Sequence, residues 1–195
     1  MKTLLRSLAP LAAALLLLAR PASAQESPTQ AAERYFRSMQ AGDWPAAAGM
    51  MHPSALAQFQ RLFGELARHP GARPMLESVF QVRPAEVDSL APAALFARVT
   101  GRLMSLDPAT AQAMRAARYE VTGERMAGDT AQVEYRITVS PAGQEPVSVA
   151  SQANLLKDGA AWKLLLQRDT EAMFQSLKTM LDAQPSPAPA PGTRP

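Results

Sequence analysis

The chain has 195 residues, of which 47% are apolar and 19% charged. That balance suits one globular domain and is too apolar for a disordered chain. With no cysteine and two histidines, it excludes disulfides, thiolate metal sites, a cysteine nucleophile, a lipid-modified N-terminal cysteine and a multi-histidine metal centre.

Residues 1–24 read as a secretory signal peptide. Lys2 and Arg6 form a positive start, an apolar run extends from Leu8 to Ala19, and Ala22-Ser23-Ala24 is an A-x-A cleavage site. The run is short of the ~20 apolar residues that a spanning helix needs. Cleavage after Ala24 is therefore expected, giving an exported protein, periplasmic or secreted, with no membrane span in the mature chain. Of the 20 basic residues, Lys2, Arg6 and Arg20 lie in this segment, so the remainder balances the 17 acidic ones. The remaining Arg and Lys are spread singly, and no nucleic-acid partner is expected.

Residues 25–183 form one candidate domain. Ser27, Pro28 and Gln30 spell a capping box with proline at the first helical position. The helix carries Ala31, Ala32, Tyr35, Phe36 and Met39 on one stripe and ends at Gly42. Asp43 caps a short second helix through an alanine run to Met51. His52-Pro53 breaks the pattern, and Ser54 is expected to cap a third helix with the stripe Leu56, Phe59, Leu62, Phe63 and Leu66. A helix around Met75 to Gln81 follows, Pro84 and Pro92 open two more segments, and Asp107-Pro108 opens a last short one to about Ala116.

From Ala117 the apolar period changes to two. Four strands are expected, roughly over 117–126, 130–140, 146–157 and 160–168. Asp158-Gly159 is the strongest hairpin signal and suits a type I′ turn, pairing Leu155 with Trp162 and Ala153 with Leu164. The first hairpin has two registers, one setting Arg118 and the other Glu120 opposite Arg136. Either way Tyr119, Val121, Val133, Tyr135, Ile137, Val139, Val147, Val149, Ala153, Leu155, Trp162, Leu164 and Leu166 share one face. Arg118, Glu120, Thr122, Glu124, Gln132, Glu134, Arg136, Thr138, Gln152, Asn154, Lys163 and Gln167 share the other. A final helix is expected over about 170–183. From Gln184 the sequence QPSPAPAPGTRP blocks helix and ladder alike and reads as a disordered Pro/Ala-rich tail over 184–195, with a spacer or docking role as the functional alternative. Helices followed by an antiparallel meander of four or more strands define an α+β fold.

The stretches AAERYFRSMQAGDWPAAAGMMHPSAL, YEVTGERMAGDTAQVEYRITV and VSVASQANLLKDGAAWKLLL resemble the nuclear transport factor 2-like superfamily, with its SnoaL-like bacterial proteins. The resemblance covers about 27–168. It implies a curved sheet closing a cone whose mouth holds a small apolar molecule. Enzymes of the superfamily place Asp, His, Tyr or Arg inside that cone. The helical stretch from Pro70 to Ala116 exceeds the family's usual insertion, and the final helix is an addition.

A proton-transfer site needs a titratable group tuned in a partly dry pocket. The inner-face positions named above contain no Asp, Glu or His. His52 is the single catalytic candidate, against the plain reading of a helix-terminating His-Pro turn; His69 reads as a loop residue. Tyr35, Tyr119, Tyr135, Ser151 and Trp162 are the candidates for a ligand pocket, each also readable as core. The methionines are too scattered for a thioether copper site and read as core filler. With no phosphate-binding glycine loop and no metal-ligand cluster, neither cofactor nor metal is expected. The expected function is non-catalytic binding of a small hydrophobic molecule or a protein partner. The alternatives are a SnoaL-like isomerase, cyclase or dehydratase, and a structural module of the envelope. A homodimer through the outer sheet face is a further possibility.

Overall fold

The computed structural model describes residues 26–140 and 145–183. The signal segment expected over 1–24 and the tail expected over 184–195 lie outside the described residues. The fold is α+β: N-terminal helices, a four-stranded antiparallel sheet and a C-terminal helix. Among the described residues no helix is long and apolar enough to cross a membrane.

Helix α1 (Pro28–Ala41) starts at the capping box of Ser27 and Gln30 and ends at Gly42. Its apolar stripe puts Ala31, Ala32 and Phe36 in the core. Asp43 caps α2 (Trp44–Gly49) by accepting the Ala46 N–H at 3.0 Å. Helix α3 (Pro53–Ala67) is capped by His52 rather than by Ser54. The reason is local: Pro53 at the first helical position makes the preceding residue the cap, and an imidazole nitrogen can accept there as a hydroxyl does. An irregular helical run over residues 70–80 buries Leu76 and Phe80. Helices α4 (Pro92–Leu106) and α5 (Pro108–Ala116) complete the helical half, and α6 (Asp169–Asp182) closes the chain.

The strands are β1 (Arg118–Ala127), β2 (Thr130–Val139), β3 (Val147–Asp158) and β4 (Ala161–Leu164), in the order β1-β2-β3-β4. Helix α1 packs on the inner face of this sheet. There Phe36 stacks on Tyr119 with centroids 4.6 Å apart and meets Tyr135 at 4.5 Å. A second aromatic cluster joins the helices: Phe59 meets Phe96 at 5.2 Å and Phe174 at 5.8 Å, and Phe63 meets Phe80 at 5.4 Å. The far edge of the sheet is not left open. The His52 N–H donates to the Leu164 carbonyl at 2.7 Å and the Leu164 N–H to the Met50 carbonyl at 2.9 Å, so residues 50–52 cover the free side of β4.

Four sequence expectations need correction. First, the β3–β4 turn centres on Gly159 and Ala160, and Leu155 faces Leu164 while Lys157 faces Trp162. A type I′ turn at Asp158-Gly159 would force Asp158 to positive φ; only Gly159, at φ 62°, is left-handed here. The two-residue slip preserves the faces, so Trp162 remains buried. Second, the β1–β2 register sets Glu120 opposite Arg136, but it shifts between Val121 and Gly123. This bulge turns Glu124, expected outside, onto the inner face opposite Val133. Third, β4 stops at Leu164 rather than running to 168: the Leu165 N–H still donates to the Asn154 carbonyl at 2.8 Å, after which the chain leaves the sheet and α6 begins at Asp169. Fourth, the inner face is only partly covered: Val147 and Val149 are 55% and 56% exposed, since the helices do not reach that end of β3.

Candidate functional site

The inner face of the sheet, α1, α3, α4 and the β4–α6 connection surround a partly open cavity of 150 Å³. Its wall is mainly apolar, with Phe36, Met51, Phe59, Phe96, Ala153 and Leu164 among its lining residues. The polar contributions come from Tyr35, Tyr135, Gln167 and Thr170. Exposed Gln167 and half-buried Thr170 set the polar mouth at the β4–α6 connection.

Each polar group has an assignable state. The Tyr135 hydroxyl accepts from Gln167 Nε2 at 3.3 Å. The Tyr35 hydroxyl has no hydrogen-bond partner among the described residues. Burial, and then the neighbouring hydroxyls of Tyr135 and Tyr119, push the Tyr35 pKa up to about 12. Its phenol stays neutral through the whole physiological range and remains a donor. Burial and Tyr135 also raise Tyr119.

The residues singled out from the sequence are not all brought together. Tyr35 and Tyr135 share the cavity. Tyr119, stacked on Phe36, instead borders a charged surface groove with Arg37, Arg118 and Glu120. Ser151 pairs with Tyr135 across the sheet and edges a depression with Thr122, Glu134 and Gln152. Trp162 is 2% exposed and packs in the core, with Lys157 Nζ 5.1 Å from its ring centroid. His52 does not line the cavity. Its Nδ1 accepts the Ser54 N–H at 3.1 Å and lies 2.6 Å from Ser54 Oγ, which makes the ring a helix cap. His69 also caps through Nδ1, accepting the Gly71 N–H at 3.1 Å, while Nε2 meets Asp182 Oδ1 at 2.8 Å and ties α6 down.

Gln167 and Thr170 are not among the sequence candidates: alternation puts Gln167 on the outer face of the last strand and Thr170 at the start of the final helix, but the chain leaves the sheet after Leu164 and brings both to the cavity. Sequence reasoning also missed Glu124. That carboxylate accepts the Thr29 N–H at 3.0 Å and the Thr29 hydroxyl at 2.6 Å, so it serves the N-terminus of α1. The only sequence signal was Gly123, a residue that marks bulges.

On the outer face the polar groups satisfy one another. Arg125 pairs with Glu134 at 3.0 Å, Arg136 with Glu120 at 3.6 Å, and Gln132 Nε2 donates to Gln152 at 2.6 Å. Among the described residues no group of three or more His, Cys, Asp or Glu is placed to hold a metal. No protein-family model matches the chain, and neither a curated protein nor a solved structure matches it.

Proposed function

We propose that this is an exported domain of the nuclear transport factor 2-like type that binds a small, mostly apolar molecule in the cavity between α1 and the sheet. The observation that carries the reading is the cavity itself: 150 Å³, walled by aromatic and aliphatic side chains, with a Tyr35 phenol that has no hydrogen-bond partner among the described residues. A closed apolar cavity of about that volume takes up benzene or xenon; this one also opens at Gln167 and Thr170, which gives a ligand a way in. Pockets for drug-sized ligands run to about 300–1,000 Å³, so the volume favours a single-ring or short aliphatic ligand. The lining favours recognition over proton transfer. Its titratable groups are Tyr35 and Tyr135, and a Tyr35 pKa of about 12 is far from the near-neutral value useful to a general base.

Titration of the full chain with benzene and with phenol tests this. Both ligands should bind, and phenol should gain from the Tyr35 hydroxyl. Tyr35→Phe should weaken phenol by roughly 3–10-fold, the worth of one neutral hydrogen bond, and leave benzene unchanged. Failure of both ligands to bind the wild-type chain would overturn the reading.

A further inference from the structure

We propose that the helical half of the molecule holds a second small-molecule site, whose ligand is a small aromatic carboxylate. The site lies where α1, α2, α4 and α5 meet, and shares no lining residue with the sheet cavity. Its volume is 310 Å³, at the lower end of the range for pockets that bury a drug-sized molecule. Met39 comes from α1, Trp44 from α2, Gly101 and Met104 from α4, and Met114 and Arg115 from α5.

The lining specifies the ligand in two parts. Three half-buried thioethers and an indole converge there. Methionine adapts its shape to a ligand and makes favourable contacts with aromatic rings, and tryptophan stacks on them. The indole is held in place by a close approach. A Cβ on Gly101 would lie 2.7 Å from Trp44 Cδ1, so only glycine lets the ring sit against α4. The second part is charge. Arg115 is exposed and has no carboxylate partner among the described residues, and no acidic side chain lines the cavity. A planar guanidinium beside an aromatic slot matches a carboxylate attached to a ring.

Three thioethers also suit a soft cation such as copper(I) or silver(I). The guanidinium at the same cavity opposes a cation and favours an anion. The scatter of these methionines along the chain concealed the cluster, because three different helices supply them.

The test uses 2-naphthoate and its neutral counterpart 2-naphthalenemethanol, titrated calorimetrically into the full chain. A two-ring probe exceeds the benzene-sized sheet cavity and so reports on the helical site. Naphthoate should bind one equivalent and shift the methyl resonances of Met39, Met104 and Met114. Arg115→Gln should weaken naphthoate by about tenfold or more, the loss of a charge-assisted hydrogen bond, and leave the alcohol unaffected. Ala153→Leu, which alters only the sheet cavity, should leave naphthoate binding unchanged. Absence of naphthoate binding at millimolar concentration would overturn the proposal, as would equal binding by Arg115→Gln. Stoichiometric silver(I) binding that shifts the same methyl resonances would overturn it in favour of a soft-metal site.

Discussion

Trp162 and Tyr35 are two large side chains on the same side of the sheet, and they do different work. Trp162 is 2% exposed, beside fully buried Leu155 and 4%-exposed Leu164. Trp162→Ala should cost about 3–5 kcal/mol in a denaturant titration, the usual loss for a large buried aromatic. A midpoint close to wild type would mean that the ring is not in the core. Tyr35 carries a pH signature. Its phenol ionises at about 10.0 when free and at about 12 in the fold, so folding favours the protonated form. The stability this contributes is complete below pH 10 and is lost as pH rises through 12. Chemical denaturation across that window should show a smaller decline for Tyr35→Phe than for the wild type. Tyr119 contributes in the same direction, so the decline should shrink without vanishing. At this scale the sequence was informative where a side chain's role is local. Asp43 is a cap as its position before Trp44-Pro45 implies. For Tyr35 the sequence suggests a pocket residue but not the state of its hydroxyl, because nothing near it in sequence says that the hydroxyl lacks a partner.

At the scale of elements, the bulge in β1 has the largest consequence. It carries Glu124 across the sheet to the first turn of α1, a turn with no acidic residue of its own. Glu124 thereby joins Ser27 in serving the free N–H groups of that helix. Glu124→Ala should destabilise by about 0.5–2 kcal/mol, the range for losing a helix cap. Glu120→Ala removes only an exposed ion pair with Arg136 at 3.6 Å and should cost no more than about 1 kcal/mol. Equal small effects in thermal melts of the two variants would show that β1 runs without the bulge. The helices and strands themselves were legible from period and capping: Ser27-Pro28-Gln30 marks the start of α1, and the change to a period of two at Ala117 marks the sheet. Registers were less legible. Strict alternation predicts one face for a whole strand, and a single inserted residue at 122–123 breaks it. The Asp158-Gly159 pair misled for a related reason: a lone glycine satisfies a turn that needs only one left-handed residue.

For the whole molecule, two regions follow from the way the layers meet. Helix α1 lies on the sheet without filling it, and the β4–α6 connection borders what remains, a partly open 150 Å³ cavity. The helices α1, α2, α4 and α5 meet around Gly101 and leave the methionine-lined site. The sequence names Tyr35 and Tyr135 as pocket candidates but not the side chains around them, and it gives no sign of the helical site, because each region draws side chains from positions far apart in the chain. The apolar inner face, by contrast, was read correctly for Tyr135, Ala153 and Leu155, since alternation alone places them. Occupancy of the cavity also predicts a stability effect: a ligand at roughly 100 times its Kd adds about 2.7 kcal/mol to the folded state.

The central claim is that the space between α1 and the sheet is a binding site, and blocking that space tests it most directly. Ala153→Leu replaces a methyl group with an isobutyl group on the cavity wall, at a residue already 6% exposed. Benzene should be titrated into wild type and variant while the methyl resonances of Leu164, Leu165 and Leu166 are followed. The account predicts saturable shifts of these resonances in the wild type and none in a folded Ala153→Leu chain. Identical saturable shifts in both proteins, or no shift in the wild type, would contradict it.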